Sequence, residues 1–68
     1  MTEHEINSFC KKHGFVRVKS SQLLRKSGIN EEEAMLLKSR YKESCMIFDL
    51  LKTKTATYNI YMEFAYGV

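Results

Sequence analysis

Apolar residues near the start of this chain recur at helical spacing. Ile6, Phe9 and Cys10, with His13 beside them, fall on one side of a 3.6-residue period. Thr2 stands ahead of them as a cap, with Glu5 three residues on to complete a capping box, and Gly14 follows where the helix must stop. FVRV, from Phe15 to Val18, alternates apolar with basic side chains and carries β-branched residues, which predicts a short strand. From Ser20 to Ser39, SSQLLRKSGINEEEAMLLKS, the helical period returns. Ser20 or Ser21 caps a second helix that runs to about Ser27 with Leu23 and Leu24 on its buried side. Gly28 supplies a turn with a positive backbone angle, and Ile29 drops into the core after it. Asn30 caps a third helix whose inner face carries Ala34 and Leu37. Glu31, Glu32 and Glu33 fill its first turn, where the helix dipole favours carboxylates.

The end of that third helix can be read in two ways. Tyr41, Cys45, Phe48 and Leu51 extend the stripe of Ala34 and Leu37, which would give one long helix with no glycine or proline to stop it. Alternatively the helix ends near Glu43, Met46 to Leu51 form a strand, the polar KTKT at 52–55 turns the chain, and 56–66 returns as a second strand. The returning segment has the clearest alternation in the chain. Ala56, Tyr58, Ile60, Met62, Phe64 and Tyr66 share one face, and Thr57, Asn59, Tyr61 and Glu63 share the other. Because such a strand needs a partner longer than FVRV, the hairpin is the favoured reading.

With Leu24, Gly28, Ile29, Ala34 and Leu37 at these spacings, residues from about 20 to 43 resemble a helix-turn-helix, and the flanking elements make the chain similar to the winged-helix superfamily. The expected fold is therefore α+β: a winged helix-turn-helix with three helices, a short strand and a C-terminal β-hairpin, as one domain over residues 1–68 with a wing at about 46–66. The resemblance implies double-stranded DNA as partner and a role in regulating transcription or recombination. It implies protein contact as the use in a substantial minority of such folds.

Composition is compatible with this. An apolar share of 44% and an aromatic share of 12% are too high for a disordered tail. A chain of 68 residues holds one modest core, for which dimerisation would help, and one DNA-binding module of this size contacts too little DNA alone, so a homodimer is expected. No apolar run is long enough to span a bilayer, and the first residues lack the basic-then-apolar layout of a signal peptide. These features point to a cytoplasmic or nucleoid-associated protein without a membrane partner. The net charge of +3 permits contact with a polyanion without requiring it.

For the DNA reading, phosphate contacts fall to Lys19, Ser20, Ser21 and Gln22 at the start of the second helix, to Arg25 and Lys26, and to the wing lysines Lys52 and Lys54. The outward side of the third helix carries Asn30, Glu31, Glu32, Met35, Leu36 and Ser39, of which Asn30 and Ser39 suit a groove. Glu31 and Glu32 would sit in the negative potential of DNA, and Met35 and Leu36 either widen the core contact or form an exposed patch. Those four residues define the alternative function, a protein-interaction module or small inhibitor that docks through an acidic and apolar helix face.

Other chemistry is thinly represented. His4, Cys10, His13 and Cys45 contain no second close ligand pair, so no metal or other cofactor is expected. No glycine-rich phosphate loop, apolar carboxylate pair or activated nucleophile is present, so no enzymatic activity is expected. Tyr58, Tyr61, Phe64 and Tyr66 could stack single-stranded bases on a sheet, but three of the four share the inward face.

Overall fold

The computed structural model describes residues 2–19 and 21–64, in the order α1 (Glu3–His13), β1 (Val16–Arg17), β2 (Leu24–Ile29), α2 (Glu31–Tyr41), a 3-10 turn (Lys42–Ser44), β3 (Cys45–Lys52) and β4 (Tyr58–Phe64). α1 forms where the apolar spacing predicts it. The Thr2 hydroxyl accepts from the Glu5 backbone N–H at 3.2 Å, the Glu5 carboxylate accepts from the Thr2 N–H at 3.0 Å, and Gly14 ends the helix at φ 75°. Glu3 and Glu5 occupy its first turn and Lys11, Lys12 and His13 its last, so both ends suit the macrodipole. α2 begins at its Asn30 cap, where the side-chain oxygen accepts from the Glu33 N–H at 2.8 Å.

The winged helix is not the fold. Among the described residues two α-helices accompany a four-stranded antiparallel sheet of order β1-β2-β4-β3, and the end of the expected second helix together with the turn after it forms β2. The reason lies in β4. Its Ile60 and Met62 are fully buried, so a helix at 20–27 would leave one whole edge of this strand without hydrogen-bond partners in the core. β2 supplies them, pairing Leu24 with Met62, Arg25 with Tyr61, Lys26 with Ile60 and Ile29 with Tyr58. Gly28 does take the expected positive angle, φ 69°, but it serves a register shift between Lys26 and Ile29 rather than a turn between helices. The third expected helix is thus the second of the fold, and it gives way to the 3-10 turn after Tyr41 instead of running on to Leu51.

The hairpin forms. β3 and β4 pair from Cys45 opposite Phe64 to Lys52 opposite Tyr58, with an irregularity between Cys45 and Ile47. Residues 53–57 close it. The Thr53 N–H donates to the Thr57 carbonyl at 2.9 Å, and the Thr53 and Thr57 hydroxyls lie 2.7 Å apart. Ala56 turns the chain at φ 59°. Ser20 and Tyr66, together with the end of the returning strand expected to reach 66, lie outside the described residues.

Both helices pack on one side of the sheet. Ile6 of α1, Phe15, and Ala34 and Leu37 of α2 share a core with Leu24, Ile29, Ile60 and Met62 from the strands. Burying each of the large side chains among these stabilises by about 2 kcal/mol. Phe9 joins the layers through rings: its centroid lies 5.4 Å from that of Phe15, 5.2 Å from Tyr41 and 5.1 Å from Phe64. Lys26 also points to the helix side, which a charge can tolerate only with partners. Its ammonium meets the Glu33 carboxylate at 2.8 Å and lies 5.9 Å above the Phe15 ring. At the sheet edge Arg17 pairs with Glu3, donates to Asn7 Oδ1 at 3.3 Å and to the Ser21 carbonyl at 2.8 Å, and so ties α1 to the β1–β2 connection.

Candidate interaction surface

Alternation along the strands sends every second side chain away from the helices. On β4 the core takes Tyr58, Ile60, Met62 and Phe64, which leaves Asn59, Tyr61 and Glu63 on the other face. The antiparallel register extends Tyr61 into a row across the whole sheet: Val16 on β1, Arg25 on β2, Tyr61 on β4 and Asp49 on β3. Ile47 sits beside Glu63 on one side of that row, and Leu51 beside Asn59 on the other. Among the described residues no element covers this face. Val16 remains 59% exposed, Leu51 53% and Ile47 38%, while Tyr61 at the centre is half-buried among them. A face of apolar side chains around a tyrosine and an arginine has the composition of a protein interface.

The outer side of α2 makes a second, smaller patch. Met35 and Leu36 do not widen the core: they are 40% and 51% exposed, next to the exposed Glu31 and Glu32. Glu33 differs from its neighbours because it turns inward to Lys26.

The residues expected to grip DNA are not brought together. Lys19 and Ser21 are exposed in the β1–β2 connection, where Gln22 is half-buried and the Ser21 hydroxyl accepts from the Leu23 N–H at 3.2 Å. Lys52 and Lys54 stand at the β3–β4 turn. Since Leu24 pairs with Met62 and Ile29 with Tyr58, those two connections lie at opposite ends of the sheet, roughly 15 Å apart along β2. Lys26 is held by Glu33, Asn30 is spent as a helix cap, and Arg25 belongs to the open face. Ser39 is exposed on α2 but has no recognition helix around it to serve. Among the aromatic residues, Tyr58 and Phe64 belong to the core, so Tyr61 alone of the described set faces outward.

One basic grouping escaped the sequence. α1 and α2 converge at their C-terminal ends, where the Tyr41 hydroxyl lies 3.5 Å from His13 Nε2. Lys12 of one last turn and Arg40 of the other both act on His13 there, and burial together with Lys12, Lys26 and Arg40 holds the His13 pKa below its ordinary value. Helix ends rich in lysine were the available signal, but 25 residues or more separate the two groups in the chain.

Cys10 and Cys45 are free and half-buried, and burial pushes the thiol of Cys45 up to about 11. Among the described residues no three His, Cys, Asp or Glu side chains gather as a metal site, and no helix is long and apolar enough to cross a membrane. Comparison with protein-family models, with curated proteins and with solved structures gives no match, so what the chain does must be argued from these surfaces.

Proposed function

We propose that this chain is a protein-binding module that docks through the open face of its sheet. The observation that carries the reading is the row Val16, Arg25, Tyr61 and Asp49, flanked by the exposed Ile47 and Leu51, on a face that neither helix covers. Tyrosine and arginine are the side chains most often found at the energetic centres of interfaces, and apolar neighbours that exclude water strengthen them. The face carries Arg25 against Asp49 and Glu63, a mixed balance that suits a protein better than a polyanion.

The test is affinity capture with quantitative identification, comparing the native chain with Leu51→Lys and with Leu36→Asp. A partner docked on the sheet is lost with Leu51→Lys and kept with Leu36→Asp. Equal capture by both variants refutes the sheet reading, and loss with Leu36→Asp alone moves the site to the acidic and apolar side of α2.

A second reading, contact with nucleic-acid phosphates, is favoured by Lys12 and Arg40, which both act on His13 where the helix ends meet. Duplex-binding anisotropy over a range of salt tests it. Steep loss of affinity with salt, abolished by Lys12→Glu with Arg40→Glu, supports this reading, and no binding at low salt overturns it.

A further inference from the structure

We infer that the occupant of the open sheet face is a second copy of this chain, in a two-fold dimer whose axis runs along β4 over Tyr61. The inference rests on the reading of that face as a protein-docking surface. Its argument is the placement of charge. Arg25 and Asp49 flank Tyr61 in one row, on β2 and β3 respectively. Each therefore stands about 4.8 Å to its own side of β4. Neither has an ion-pair partner within the chain among the described residues.

Two sheets stacked face to face about an axis parallel to β4 exchange the two sides of the row. Arg25 of one copy then lies over Asp49 of the other, Asp49 over Arg25, and Tyr61 over Tyr61. An axis perpendicular to the strands would instead set Arg25 over Arg25 and Asp49 over Asp49, which like-charge repulsion disfavours. A hetero-partner needs no such internal complementarity, whereas an isologous interface requires it. Strand directions in the two sheets remain aligned, the usual arrangement of a sandwich with its layers about 10 Å apart.

The remaining residues set the strength. Ile47 and Leu51 on β3 come to lie over the β2 side of the second copy, where their exposed surface is removed from water. Glu63 opposes its own equivalent near the rim, the one unfavourable pairing on the axis. The face is only four strands wide, so the expected dimer is a weak one, with a dissociation constant on the order of 100 μM.

Sedimentation velocity of the full chain from about 10 μM to about 1 mM tests this. The mass should rise from the 8.0 kDa of one chain toward twice that value. Arg25→Asp and Asp49→Arg each raise the dissociation constant about tenfold or more, the double exchange Arg25→Asp with Asp49→Arg returns it to within about threefold of the native value, and Glu63→Gln tightens the dimer. Arg25 and Asp49 are exposed in the monomer and Glu63 is half-buried, and circular dichroism checks that each variant is folded. A native chain that stays monomeric throughout, or a double exchange no better than either single change, overturns the inference. The docking reading stands or falls separately, on whether an identified different protein is captured and is lost with Leu51→Lys.

Discussion

Replacing Gly28 by alanine isolates backbone strain from packing. Gly28 sits at φ 69°, and a Cβ built there meets nothing within 4 Å, so the substitution creates no clash and removes no contact. What remains is the cost of a left-handed conformation for an L residue, about 1–2 kcal/mol, partly offset by the reduced freedom of the unfolded chain; the new residue cannot relax to its preferred region without breaking the register shift beside Ile29. The expected loss is thus about 1 kcal/mol or slightly more, with the melting temperature lower by about 4–8 °C per kcal/mol in a domain of this size. Gly28→Asn should lose about half as much, since asparagine tolerates this region better than alanine. Urea denaturation followed by circular dichroism measures both, with an unchanged denaturant slope. A loss of about 3 kcal/mol or more for alanine would mean that the site is crowded, and no loss at all would mean that the positive angle is not held. The first result refutes the open space around Gly28, and the second refutes its left-handed conformation at the register shift.

Met62→Ala empties a fully buried position between β2 and β3 and should cost about 2–5 kcal/mol, a large fraction of the stability of so small a domain, as read from the urea midpoint. His13 is depressed first by burial and then by Lys12, Lys26 and Arg40, so the unfolded chain binds its proton more readily than the folded one. Its contribution is therefore complete above the unfolded value near 6.5 and is lost as pH falls below it; His13→Phe should flatten stability against pH in that window, and an unchanged profile refutes the assignment. Raising the Cys45 thiol from 9.0 to about 11 lowers its thiolate fraction about 100-fold, so alkylation at pH 8 should be slower by that order in the folded protein than in urea, and equal rates would contradict the burial.

Local signals were legible wherever a few neighbouring residues suffice to define a structure. The capping box of Thr2 and Glu5, the stop at Gly14, the Asn30 cap and the alternation from Tyr58 to Phe64 all describe interactions closed within a few positions, and each element forms there. Candidate sites were less legible. Met35, Leu36, Glu31 and Glu32 are exposed as a docking face requires, but the open sheet face could not be read because Val16, Arg25, Asp49 and Tyr61 meet only through strand pairing. Lys12 and Arg40 likewise come to one place only because Phe9 and His13 pack on Tyr41.

The sequence by itself determined two capped helices and the inward alternation of Tyr58, Ile60, Met62 and Phe64, though not that Ala56 belongs to the turn. Tertiary structure decided the segment from Leu24 to Ile29. Two adjacent leucines and a glycine with positive φ suit a helix followed by a turn as well as a strand with a bulge, since both need one buried side and one left-handed residue. The choice fell to β4, whose buried backbone requires hydrogen-bond partners along both edges, and β3 can supply only one of them. That demand is non-local, and in answering it β2 completes the sheet and creates the open face on which the proposed function rests.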